Sequence, residues 1–188
     1  MAQPERRLRA DAARNRARVL EVAYETFAAE GLSVPIDEIA RRADVGAGTV
    51  YRHFPTKEAL FRAVIEDRMQ RLVDDGRALL ESDGPGEALF TYLRSIVLQW
   101  GAGDRGLVDA LAGFGIDIAT TAPDAEDAFL AVLDELLRAA QRAGTARQDV
   151  GVREVKAIMV GCQAMEAYNS ELAERVTDVV VDGLRAGR

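Results

Sequence analysis

The chain has 188 residues, 48% of them hydrophobic, with a formal net charge of −7 and a single cysteine. That length suits one compact domain or two small ones sharing a core, and the composition is that of an ordinary globular protein. One cysteine cannot form an intramolecular disulfide, and no apolar run approaches the roughly 18–20 residues that cross a bilayer. The opening MAQPERRLRADAARNRARVL has no apolar signal-peptide core, so the cytoplasm and no membrane are expected.

In chain order, Arg6, Arg7, Arg9, Arg14, Arg16 and Arg18 crowd the first eighteen residues. They read either as a solvated, frayed arm or as a flexible arm adding phosphate or minor-groove contacts. Leu20, Ala23, Tyr24, Phe27 and Ala28 then recur at helical spacing, and Gly31 is a natural stop.

Pro35 can open the next helix, because its missing N–H would have no partner there. Asp37 and Glu38 favour that helix start, and Ile36, Ile39, Ala40 and Ala43 make one apolar stripe. Asp44-Val45-Gly46-Ala47-Gly48 interrupts the pattern as a tight turn. Gly there tolerates positive φ, and Asp does so better than most residues. Val45 is expected to plug the turn.

A second short helix over about Ala47 to Phe54 follows, with Val50 and Phe54 toward the core. Thr49, Tyr51, Arg52 and His53 are left facing outward, and the small Ala47 and Gly48 allow close approach. Pro55 ends this helix, and Thr56 is a good N-cap for the next. Lys57 and the free N–H groups beside it would suit a phosphate. Two short helices around a tight turn have the layout of a helix-turn-helix reader of DNA.

IDEIARRADVG followed by GTVYRHFPTKEALF resembles the signature of TetR-family transcriptional regulators, over about Val19 to Val64. The resemblance implies an all-helical homodimer with an N-terminal DNA-binding domain and a C-terminal domain for dimerisation and ligand sensing. Thr49, Tyr51, Arg52, His53 and Lys57 match positions where family members contact DNA. Ala47 stands where many members carry a polar or basic contact, which shifts base readout toward Arg52 and Thr49. Asp44 stands where the family usually has Gly.

Charge divides along the same line. Residues 1–62 hold 11 basic and 9 acidic side chains, a balance of +2, whereas the remainder holds 13 and 22, a balance of −9. A basic reader on an acidic body is the expected electrostatic footprint.

After Lys57 a long helix is predicted to about Leu80, with Ile65, Met69, Leu72 and Val73 on one face. The turn-forming SDGPGE at 82–87 breaks it. Further helices are expected at about 86–101, 104–113, 124–143, 151–168 and 171–186, and no stretch alternates with period two. The expected fold is all-α with about nine helices. A helix-turn-helix head at 1–62 is joined by a long helix to a sensing and dimerisation bundle at 63–188.

Two apolar stripes, Val155/Ile158/Met159/Cys162 and Leu172/Val176/Val179/Val180, suggest a homodimer through the last two helices. The alternative is that both close the monomer's own core. Phe90, Trp100, Phe114 and Gln163 are candidate ligand-binding residues, with Gln99 and Asn169 as further polar anchors; aromatics at helical spacing equally serve packing. No Ser-His-Asp set, metal-spaced cluster or phosphate-binding glycine loop occurs, so no catalytic residue, metal or cofactor is expected. The function expected is a sequence-specific regulator, a repressor released from a palindromic operator by a small-molecule effector. The alternative is a helix-turn-helix interaction module without DNA readout.

Overall fold

The computed structural model describes residues 3–98 and 118–187, and these are helical as the periodicity predicts. Among them run α1 (Gln3–Glu30), α2 (Ile36–Arg42), α3 (Ala47–His53), α4 (Lys57–Ser82), α5 (Ala88–Leu98), the single turn α6 (Ile118–Thr121), α7 (Pro123–Arg142), α8 (Val152–Tyr168) and α9 (Ser170–Leu184). No strand occurs among the described residues; one antiparallel bridge joins Ala146 to Arg185. The helix expected at 104–113 lies outside the described residues, as do Gln99, Trp100 and Phe114.

The chain forms two compact units, divided at Asp67/Arg68 and again at Ala122/Pro123, so α4 begins in the first and ends in the second. In the first, Val19, Leu20, Ala23 and Phe27 of α1 are buried with Ile39 and Ala40 of α2, Val50 and Phe54 around α3, and Leu60, Phe61 and Val64 of α4. Phe27 and Phe61 meet edge to face, with ring centroids 5.8 Å apart. That geometry sets a positive ring edge against a negative face.

The Arg-rich start is not a separate arm: it belongs to α1, which is one helix from Gln3. Ala, Arg and Gln are strong helix formers, and this stretch has no glycine to interrupt it.

In the second unit α5 packs on α7, α8 and α9. Tyr92 is fully buried, and its hydroxyl donates to the Leu72 carbonyl of α4 at 2.8 Å. Burial raises the Tyr92 phenol well above its ordinary value, with Asp75 adding to the shift. Gly76 of α4 lies against that ring: a Cβ there would stand 3.3 Å from Tyr92 and 3.2 Å from Val132. The close helix contact thus depends on the missing side chain.

The first of the two terminal stripes is corrected. Val155, Met159 and Cys162 are buried in the monomer and Ile158 is half-buried, so this stripe closes the chain's own core. Burial also pushes the Cys162 thiol up. The side of α8 left open carries Ala157, Val160, Gly161, Ala164 and Tyr168, at i, i+3, i+4, i+7 and i+11. On α9, Leu172 and Val179 are exposed, while Val176 and Val180 are half-buried.

Candidate nucleic-acid interface

The turn between α2 and α3 follows from backbone hydrogen bonds. The N–H of Val45 donates to the Ala40 carbonyl at 3.0 Å, and that of Asp44 to Arg41 at 3.2 Å. These are the two bonds of a Schellman motif, which needs a left-handed residue after the helix. Here that residue is Asp44, at φ 53°, and Gly46 is at φ −57°. The glycines are therefore not what turns the chain. Val45 is half-buried, beside the buried Ala40 that it follows in the motif.

Pro35 stands one position before α2 as its N-cap, with its carbonyl accepting from Glu38 and Ile39.

Helix α3 is seated by Val50 and Phe54, 1% and 3% exposed. That anchoring turns the rest of the helix outward. Tyr51, Arg52, His53 and Gly48 are exposed, and Ala47 and Thr49 are partly so. Pro55 follows Phe54, and the Thr56 hydroxyl accepts from the Ala59 N–H at 3.1 Å, which caps α4 as the sequence predicts. Glu58 beside that cap is held below the usual carboxylate range, by its own backbone N–H first and by the Thr56 hydroxyl second. Lys57, partly buried at the same helix start, is pulled below the ordinary ammonium range by desolvation. The expected contact residues thus occupy one short helix and the first turn of the next.

Arg41 and Arg42 are paired with carboxylates. Glu38 accepts from Arg41 Nε at 2.8 Å and from its terminal nitrogen at 2.7 Å, and from Arg42 Nε at 2.8 Å. Arg42 also reaches Glu30 at the end of α1, which ties the two helices together. The hydrogen bonds from Arg41 and Arg42 draw the Glu38 carboxyl down to about 2. Folding therefore favours its ionised form. The contribution is complete above the ordinary value of 4.5 and is lost as pH falls toward 2. We expect the stability difference between the native chain and Glu38→Gln to shrink steadily from pH 5 to pH 2, followed by urea denaturation at each pH. A difference unchanged across that range would contradict the assigned role of the charge.

The ligand candidates are less convergent. Phe90 on α5 is buried, with the Arg185 guanidinium 4.0 Å above its ring, while Arg185 donates two hydrogen bonds to Glu87. Gln163 is half-buried on α8. Asn169 caps a helix: its side-chain oxygen accepts from the Glu171 N–H at 3.1 Å, opening α9.

Residues missed in the sequence include Glu38 as the partner of both arginines, which its i+3 and i+4 spacing could have revealed. Val160 and Tyr168 were also missed, and their signal was the second apolar stripe of α8.

Residues 19–64 match the family described as bacterial regulatory proteins, tetR family, and residues 84–186 match the C-terminal domain of SbtR-like transcriptional regulators. A solved TetR transcription regulatory protein from Mycobacterium vanbaalenii is 63% identical, with TM-score 0.79 over 95% of this chain and 99% of its own. The TetR transcriptional regulator SCO0520 from Streptomyces coelicolor is 34% identical, with TM-score 0.75 over 92% and 99%. The HTH-type transcriptional regulator SrpR of Pseudomonas putida shares 40% identity over 68 residues, 36% of this chain and 32% of SrpR. This chain thus spans about a third of the length of the curated relative it matches. With a capped helix-turn-helix at one end and a bundle matching the family's C-terminal domain at the other, the chain belongs to the TetR family of helix-turn-helix transcriptional regulators.

Proposed function

We propose that this regulator acts as a homodimeric repressor, bound to a palindromic operator and released by a small-molecule effector. The observation that carries the DNA reading is the outward row on α3, anchored by Val50 and Phe54. Thr49 and Arg52 touch base edges in the major groove. Tyr51, His53 and Lys57 hold phosphates, and Ala47 and Gly48 let the helix start lie close to the groove wall.

One short helix reads few base pairs, so a palindrome read by two copies is the economical arrangement. The exposed apolar positions of α8 and α9 support a two-fold four-helix contact between protomers. The effector site belongs to the second unit, with Phe90 and Gln163 among its candidate residues. An effector acts there by binding one of two states more tightly than the other.

The test is binding to duplexes selected from random sequence. Lys57→Ala weakens binding to every duplex alike, whereas Arg52→Ala costs about 1–3 kcal/mol and also relaxes specificity. A double variant that bound its operator as tightly as the native chain would overturn the assignment.

A further inference from the structure

We propose that the N-terminal half of α1 is a second DNA-binding element, which grips the phosphate backbone flanking the bases that α3 reads. This rests on the DNA-binding reading above and extends it to a surface outside the helix-turn-helix.

The first observation is where the head's positive charge sits. Residues 3–18 hold six arginines and two carboxylates, a balance of +4. Residues 19–62 hold 5 basic and 7 acidic side chains, a balance of −2. Two of those five, Arg41 and Arg42, are already paired with Glu38 and Glu30. A helix-turn-helix with that balance attracts a polyanion weakly, so the long-range attraction has to come from α1.

The second observation is placement. The Arg16 guanidinium lies 5.7 Å from the centre of the Phe54 ring, directly after α3. Phe54 is in turn next to His53, with ring centroids 6.1 Å apart. Arg16 is exposed and has no ion pair among the described residues, whereas Arg14 is paired with Asp11. The basic half of α1 therefore starts beside the exposed end of the reading helix.

The third observation is the exposure of α1 between Ala10 and Arg18. From Ala10 to Arg18 no residue is buried, and core contacts begin at Val19. At 1.5 Å per residue, the backbone from Arg16 to Gln3 extends about 20 Å. That is the length of roughly six base-pair steps, at about 3.4 Å per step along each strand.

Phosphate contacts of this kind add affinity without sequence preference, and each contributes about 0.9 to the slope of log K against log salt. The test replaces Arg9, Arg16 and Arg18 together by Gln, a good helix former, and separately by Lys. Binding is followed by fluorescence anisotropy from 50 to 300 mM salt, on an operator duplex selected from random sequence and on a scrambled duplex of equal length.

The Gln variant is expected to lose about 2–3 units of salt slope and on the order of 10-fold in affinity on both duplexes. Its preference for the operator over the scrambled duplex stays unchanged, and the Lys variant keeps the native slope. A Gln variant with native slope and affinity would overturn the proposal, as would a Lys variant that lost as much as the Gln variant. If circular dichroism showed that Gln lowers helicity, the Lys variant alone decides. A native chain that bound neither duplex would overturn the DNA-binding reading along with this one, whereas a bound native chain with an unaffected Gln variant would overturn only this one.

Discussion

Phe54→Ala is expected to remove roughly 3–5 kcal/mol from the stability of the first unit, the usual cost of deleting a buried aromatic side chain and leaving a cavity. Small domains are stable by only about 5–15 kcal/mol, so the loss takes a substantial share of the margin. Phe54 is 3% exposed and seats the end of α3, and its ring is also the surface beneath Arg16. Losing it therefore loosens the reading helix before the unit unfolds. Tyr51→Ala is the matched control, since Tyr51 is 42% exposed on the same helix. It should change stability by less than about 1 kcal/mol, as surface substitutions do, while weakening operator binding. Urea denaturation followed by circular dichroism, alongside operator binding, separates the two effects. If both variants were equally stable, Phe54 would not be the anchor.

Val179→Asp is the second change expected to have a large effect, and it acts through the proposed dimer. Val179 is 67% exposed in the single chain, so a carboxylate there meets water and the protomer should stay folded. In a two-fold contact the same residue is contributed twice, and both carboxylates would lose their water near the axis. Desolvating an unpartnered charge costs several kcal/mol. A loss of about 3 kcal/mol corresponds to more than 100-fold in the dimer dissociation constant. Sedimentation should then show monomers at concentrations where the native chain is dimeric. Binding to the palindrome should fall with it, because a single head makes half the contacts. A Val179→Asp chain that remained dimeric would place the two-fold contact elsewhere. Tyr168, 90% exposed at the end of α8, belongs to the same proposed surface.

The helix-turn-helix was legible in the sequence because its signals are local. Thr56 caps α4, Val50 and Phe54 stand four apart, and Gly31 at φ 74° ends α1 as expected. Each of these depends on residues within one or two helical turns. The left-handed position was less legible, because glycine has the stronger preference for positive φ while hydrogen bonding decides which residue adopts it. The Val45-to-Ala40 and Asp44-to-Arg41 bonds place it on Asp44.

What the sequence by itself determined is the all-helical class, the helix order around the turn and the outward row from Thr49 to Lys57. Only the tertiary structure decided which apolar stripe of α8 enters the core, because Val155/Met159 and Val160/Tyr168 look alike until α5 and α9 cover one of them. It also decided that Asn169 caps a helix and that Glu30, twelve residues from Arg42, neutralises it. Propensity and capping act between chain neighbours. Burial and charge pairing depend on whatever surface arrives from elsewhere in the chain, which is why they waited for the fold.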